Sequence, residues 1–241
     1  DRASSSMVAT TVVPTHKEMS KALNSCGTML LNTRILTPEG FAALSEAADK
    51  LQSKTELAWD YSIPIQNPVS FLPCVDRQGR KFIPKIGVKE ISVVTPANSE
   101  AIPFKKWDIA LTLEFEDESV HCPRWHFDMA NLDQPGPITH LQYGGYKHAP
   151  HNHLDSSVQQ PRWFTPPMDV ILLCEVVAAN FFQEIWIQSL RQERRWLALI
   201  HQSQKICYPH YLAQLSKSIG VSGANVLLDA SWNDQWADRR P

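Results

Sequence analysis

The sequence predicts an α+β fold, with N-terminal helices, a central and mainly antiparallel sheet, and a C-terminal helical layer that contains one long buried helix. Three observations predict it: helix-spaced apolar residues near both ends, alternating apolar and polar residues in the middle, and the segregated order of helices, strands and helices. We expect a disordered leader or tag remnant at residues 1–14 and a single domain at 15–241. The sheet part would cover about 55–146 and the helical part about 166–220.

Two helices are predicted near the amino end. The first covers residues 15–29, whose apolar side chains recur three to four positions apart. The second begins after Thr37, a favoured N-cap residue type, with Pro38 and Glu39 in its first turn. Its apolar stripe requires another element to pack against.

The middle of the chain reads as strands. Closely spaced prolines between residues 57 and 103 exclude helices and favour edge strands or irregular connections, with a strand at 86–94. The clearest strand is 107–116, where apolar and polar residues alternate. One of its faces is therefore predicted to be core and the other polar.

Two further strands, 124–129 and 138–144, are predicted to pair as an antiparallel hairpin with their aromatic residues inward. Because strand side chains alternate between faces, the polar residues of both strands would then share one surface. Those residues are Arg124, His126, Asp128, His140 and Gln142.

Helices return after a predicted loop at 145–160. Thr165 followed by two prolines predicts the start of a long helix at 168–190, which is apolar on almost every side and should be buried. Helix is also predicted at 191–204 and, after Pro209, at 209–219.

Composition excludes several classes of protein. The 23 basic and 25 acidic residues give a net charge of -2, so nucleic acid binding would need a local basic patch, for which 77–89 and 191–195 are candidates. Five dispersed cysteines without a Cys-x-x-Cys pair predict reduced thiols and a cytoplasmic location. No run of 18 apolar residues occurs, so no membrane span is expected.

Histidine-rich stretches are the candidate metal sites. His126 and Asp128 have the spacing of two neighbouring ligands on one strand face, and His140, His151 or His153 would complete a two-histidine, one-carboxylate set. His151 and His153 also have alternate spacing suited to zinc. The competing interpretations are a structural histidine oriented by Asp128 and a solvated histidine loop.

Glu175 lies inside the apolar run of the predicted long helix. An ionised carboxylate there needs a partner, for which Arg124, His126 or His140 are candidates, unless the position reaches the wet edge of the helix.

The motif His-Phe-Asp followed by His-x-Gln-x-Gly-Gly, and then an apolar helix that begins Pro-Pro-Met-Asp, resembles uncharacterised bacterial proteins associated with mobile elements or defence systems. The resemblance covers about residues 125–211. It implies a setting and assigns no chemistry.

Two functions follow as hypotheses. The first is an intracellular, non-catalytic macromolecule-binding or accessory subunit of a multi-protein bacterial system, with a protein partner. It rests on the absence of a strong catalytic signature and on eight tryptophans, a residue type favoured at contact surfaces. Its contact residues would be Arg124 and Gln142 on the hairpin and Trp232 and Trp236 in the tail.

The alternative is a metal-dependent hydrolase, including a nuclease. It would bind a divalent metal through His126, Asp128 and His140, with Glu175 as general base.

Overall fold

The structure, a computed structural model, describes residues 13–54, 58–95, 101–117, 119–120, 122–130, 136–144 and 161–220. Within these ranges the helices are α1 (His16–Asn32), α2 (Pro38–Gln52), α3 (Val170–Phe181), the single-turn α4 (Gln183–Ile185) and α5 (Arg194–Gly220), with a π-helical turn at Trp186–Leu190. The strands are β1 (Trp59–Ile63), β2 (Val69–Ser70), β3 (Cys74–Val75), β4 (Lys81–Val93), β5 (Phe104–Phe115), β6 (Arg124–Met129), β7 (Thr139–Tyr143) and β8 (Trp163–Phe164). The predicted α+β class is confirmed.

Side-chain caps start both N-terminal helices. Thr15 and Glu18 form a reciprocal capping box at α1, in which each side chain accepts a hydrogen bond from the other's backbone N–H. The Thr37 hydroxyl accepts from the Gly40 N–H at 3.1 Å and caps α2, as predicted. The first helix continues to Asn32, one turn beyond its predicted end.

The first turn of α2 lies against β2. The backbone N–H and the hydroxyl of Thr37 both donate to the Ser70 carbonyl, at 3.1 and 3.0 Å. A Cβ placed on Gly40 would lie 2.3 Å from that same oxygen and 2.8 Å from the Ser70 nitrogen. The contact therefore requires glycine.

The strands form one antiparallel sheet in the order β1-β4-β5-β6-β7-β8, and β2 and β3 also pair with β4. The long strand β4 begins at Lys81, five residues before the predicted start, and contains Pro84. Pro84 falls between the segments that pair with β2 and β3, and its carbonyl accepts from Phe71 at 3.1 Å. Because the N–H and C=O of one strand residue point to the same side, the missing N–H faces this break and not β5.

The helices cover one face of the sheet. Trp107 on that face donates its indole N–H to the Met168 carbonyl at 2.7 Å, and the Phe82 and Phe181 rings lie 5.4 Å apart. Apolar residues of α1, α2, α3 and α5 form one core cluster with this face. The opposite face carries the polar side chains of β5, β6 and β7.

Helix α3 differs from its prediction at both ends. Its N-cap is Asp169, whose carboxylate accepts from the Leu172 N–H at 2.9 Å, and not Thr165. The predicted long helix at 168–190 is wrong, because α3 ends at Phe181 and the chain bends by 110° before the next helical segment.

Two adjacent aromatic residues explain the bend. The Phe181 ring contacts Phe82, and the Phe182 ring stacks on Phe71 at 6.4 Å. Consecutive residues of a regular helix point about 100° apart, and the break at Phe182 lets the two rings contact Phe82 and Phe71 separately. Phe182 has the non-helical backbone angles φ -126° and ψ 40°.

The two helices predicted at 191–204 and 209–219 are one helix, α5, which continues through Pro209. A proline inside a helix removes one backbone hydrogen bond and crowds the preceding turn. Ile206, Cys207 and His210 on either side of it are buried, so tertiary packing holds both halves in line.

Within the described ranges no single helix is long and apolar enough to cross a membrane. Helix α3 taken together with residues 183–190 reaches that length and composition, but the pair is sharply bent.

Candidate binding site on the polar face of the sheet

The predicted β6–β7 hairpin is confirmed, with Asp128 opposite His140 and His126 opposite Gln142. On the other side of β6, strand β5 places Asp108 opposite Asp128 and Ala110 opposite His126. The predicted polar residues therefore share one surface, and Asp108 joins them. The sequence carried a signal for Asp108, since it lies on the polar face of the alternating strand, but the pairing register of β5 and β6 was needed to place it.

Four ionisable residues contact one another in a chain that we call the Asp–His network. His126 Nε2 lies 2.8 Å from Asp108 Oδ1, and His126 Nδ1 lies 3.2 Å from Asp128 Oδ2. His140 Nε2 lies 2.5 Å from the other Asp128 oxygen, while His140 Nδ1 lies 3.1 Å from the Pro137 carbonyl. The two contacts with Asp128 are ion-pair contacts that depart from good hydrogen-bond alignment.

The surroundings of His126 favour its charged form. The residue is 2% exposed, and burial alone would lower its pKa, but the close contacts with Asp108 and Asp128 and their negative charges outweigh that effect and raise it. A neutral imidazole donates through only one nitrogen, so facing two carboxylates suits the imidazolium.

Asp128 is held in its charged form. Burial alone would raise the pKa of its carboxyl, but the close contacts with His126 and His140 hold it well below its usual range. The network therefore connects β5, β6 and β7, and His126 and Asp128 within it favour each other's charged forms.

The network has a consequence for metal binding. A histidine ligand must turn an unprotonated ring nitrogen towards the ion, and all four ring nitrogens of His126 and His140 face protein oxygens. In the part of the chain that the structure describes, no group of three or more His, Cys, Asp or Glu residues is placed to hold a metal. The structure thus brings the three predicted metal ligands together, but Asp128 contacts both histidines and no metal ion is needed to hold them.

A pocket of about 390 Å³ opens beside the network, and we call it the β4–β6 pocket. Residues 62–66, at the end of β1 and just beyond it, form one wall, and Arg124 and His126 of β6 lie on another. Two of the lining residues, Gly87 and Ala110, are small and leave the pocket open. A Cβ on Gly87 would lie 3.7 Å from the Ile65 Cα, an ordinary contact, so alanine would fit at this position without displacing its neighbours.

Cations outnumber anions in this lining. Among the residues that the structure describes, Lys89, Arg124 and His126 line the pocket together with a single acid, Asp108. Asp108 already contacts His126, and its second oxygen lies 3.4 Å from the Lys89 ammonium. Ile63, Pro64, Ile65 and Val88 make the remainder of the lining mostly apolar. An apolar pocket with a few placed polar groups is the usual form of a ligand site.

Comparison with protein-family models, with curated proteins and with solved structures found no match for this chain. The site is therefore interpreted from its own geometry.

The remaining predicted residues lie in different places. Arg124 is 6% exposed and lines the β4–β6 pocket, and Gln142 is half-buried opposite His126. His151, His153, Trp232 and Trp236 lie outside the described residues. Residues 62–66 were not predicted to take part, because their approach to β6 depends on tertiary structure alone.

Glu175 is separated from the Asp–His network, because α3 packs on the apolar face of the sheet. None of its three predicted partners accounts for its hydrogen bonds. Glu175 Oε2 accepts from the indole N–H of Trp186 at 2.9 Å and of Trp196 at 2.5 Å. One carboxylate oxygen thus connects α3, the π-helical turn and α5.

Replacing Glu175 with Ala should lower the free energy of unfolding by about 2–3 kcal/mol, because two indole N–H groups lose their acceptor. Glu175→Gln keeps an acceptor oxygen and should cost about 1 kcal/mol. Urea unfolding followed by far-UV circular dichroism measures both. The matched control is Glu184→Ala, an exposed position on the next helical turn, which should change little. Equal stability of the Glu175 and Glu184 variants would contradict the role of Glu175 in connecting these three helical segments.

Proposed function

We propose that this chain is a non-catalytic binding subunit that recognises another protein through the β4–β6 pocket. The pocket receives an apolar group that ends in a carboxylate, such as the C-terminal residue of the partner. The observation that carries the proposal is the lining, in which Arg124 and His126 lie beside an apolar wall.

The charges support a carboxylate over a neutral or cationic ligand. Two cations on β6 and Lys89 on β4 surround the space, and Asp108 is engaged with His126 and Lys89. Arginine offers several N–H donors in a planar arrangement that suits a carboxylate. Because the pKa of His126 is raised, its ring keeps a positive charge beside the ligand above the pH at which an ordinary histidine loses it.

The size supports a single side chain or chain terminus. A volume of about 390 Å³ lies near the lower end of ligand pockets. Capture of a chain terminus by fixed donors is a recurring mode of peptide recognition. The macromolecular partner would supply additional contact outside the pocket.

A pair of peptides tests the proposal. An acetylated peptide ending in Ala-Leu with a free carboxylate should shift amide resonances of β4 and β6 in two-dimensional NMR, with a dissociation constant of about 1 mM or lower. The same peptide with a C-terminal amide should bind at least about tenfold more weakly. Binding of the acid should also weaken as pH rises through the folded-state pKa of His126.

Two substitutions at one position serve as test and control. Gly87→Leu fills the pocket and should abolish binding, while Gly87→Ala adds an atom at ordinary contact distance and should retain it. Equal binding of acid and amide would contradict the proposal, and so would full binding by Gly87→Leu. Hexanoate binding as tightly as the peptide would make the chain a small-molecule binder instead. Stoichiometric zinc, manganese or iron in untagged protein, lost in a folded His140→Gln variant, would favour the metal-dependent alternative.

A further inference from the structure

A second surface lies far from the β4–β6 pocket along the chain, between α1 and α5. Helix α1 buries the face that includes Leu23 and Cys26 in the core, and its outer face borders an open groove of about 1110 Å³. The opposite side of the groove comes from the first turns of α5. We call it the α1–α5 groove.

The groove is cationic. Lys17 and Lys21 on α1 and Arg195 on α5 line it, and all three are exposed. None of the ion pairs found in the described part of the chain involves any of them. The described residues that line the groove include no Asp or Glu.

The acids next in sequence are occupied by helix caps. Glu18 accepts from the backbone and hydroxyl of Thr15 in the capping box. The Glu193 carboxylate accepts from the backbone N–H groups of Arg195 and Trp196 at the start of α5. Both carboxylates satisfy orphan N–H groups at helix starts, and neither forms an ion pair with the three cations in the described part of the chain.

The base of the groove is apolar, and some residues along its walls have small side chains. Met29 packs against the core, Leu199 is buried, and Ala198 and Ser25 leave room between the helices. A volume of about 1110 Å³ exceeds that of typical small-molecule pockets, which hold about 300–1,000 Å³. It suits a row of side chains from a macromolecule.

We propose that the α1–α5 groove binds an acidic amphipathic helix of a partner protein. Lys17 and Lys21 are one helical turn apart, about 6 Å along α1, and carboxylates spaced four residues apart on a partner helix repeat at the same distance. The apolar side of that helix rests on Met29 and Leu199. Charge complementarity orients the helix and speeds its association.

The same features disfavour a nucleic acid. Single strands bind basic grooves through aromatic side chains on which bases stack, and the described lining residues include no aromatic ring.

The test uses a fluorescein-labelled synthetic helix with glutamates four residues apart and leucines on its other side. Fluorescence anisotropy should detect binding to the full chain that weakens with added salt. A peptide with glutamine at each glutamate position should bind at least about tenfold more weakly, and so should the probe with a Lys17→Gln, Lys21→Gln, Arg195→Gln variant.

The control variant carries Arg77→Gln, Lys81→Gln and Lys106→Gln, which remove the same charge from exposed positions outside the groove. It should bind the acidic peptide as well as the unmodified chain does. No binding, equal binding of both peptides, or equal loss in both variants would overturn the proposal. Tighter binding of a labelled oligothymidine would overturn it in favour of nucleic acid. Because Gly87→Leu leaves the groove intact, failure here is separable from failure of the pocket.

Discussion

Replacing Asp128 with Asn should lower the free energy of unfolding by about 2–3 kcal/mol near pH 6. The substitution removes the carboxylate that contacts both His126 and His140 and leaves a buried imidazolium with one acidic partner fewer. The figure is below that for a fully buried pair because the Asp128 side chain is 19% exposed. Urea unfolding at several pH values measures it.

The destabilisation by Asp128→Asn should depend on pH. The pKa of His126 is raised in the folded state, so its contribution is complete below an ordinary histidine pKa and is lost as pH rises through the folded value. The pKa of Asp128 is lowered, so its contribution is present above an ordinary aspartate pKa and is lost as pH falls through the folded value. The cost of Asp128→Asn should therefore be largest between these limits and shrink at alkaline pH.

A surface pair provides the control for Asp128→Asn. Asp60 contacts Lys54 at 2.9 Å, with its side chain 52% exposed, and Asp60→Asn should cost less than about 0.5 kcal/mol. A similar cost for both variants, or a cost that does not change with pH, would contradict the assigned role of the network.

Gly40→Ala should be about as damaging as Asp128→Asn, at about 3 kcal/mol, near the upper end of the usual cost of overpacking. Alanine is favoured over glycine inside a helix by about 1 kcal/mol, which alone would predict a gain. The added Cβ would lie 2.3 Å from the Ser70 oxygen, and that oxygen cannot retreat without disturbing the Thr37 cap and the pairing of β2 with Lys85. Overpacking against backbone therefore outweighs the helix propensity.

The same substitution in the neighbouring helix is the matched control. A Cβ on Gly27 of α1 would meet the ends of the Phe41 and Leu44 side chains at 3.0 and 3.3 Å, and side-chain ends can shift. Gly27→Ala should therefore stay within about 1 kcal/mol of the original chain. Thermal unfolding of both variants compares them directly, and equal melting temperatures would refute the close approach of α2 to β2.

The sequence predicted the features that depend on neighbouring residues, such as helix caps and strand alternation. Thr37 capped α2 as expected, and the alternation along β6 and β7 placed His126, Asp128 and His140 on one face. These features depend on caps and on a period of two, both of which are written in neighbouring residues.

Features set by distant contacts were missed. The break at Phe182 accompanies long-range contacts of two adjacent aromatic residues with Phe71 and with Phe82 of β4, and the continuity of α5 through Pro209 depends on burial of its flanks. Glu175 was correctly expected to need partners, but the folding back of α5 was needed to bring Trp196 to it. The β4–β6 pocket likewise depends on the tertiary position of residues 62–66, which the sequence alone did not predict.

Pro84 helps to fix the pairing register of β4. A slip by one residue would exchange the two faces of the strand, and a slip by two would move the proline ring opposite β2 or β3, where an N–H donor is needed. Only the observed alignment avoids both penalties. Gly87, three residues further on in the same strand, thereby keeps its place beside Ile65, so Pro84 helps to position a pocket that it does not line.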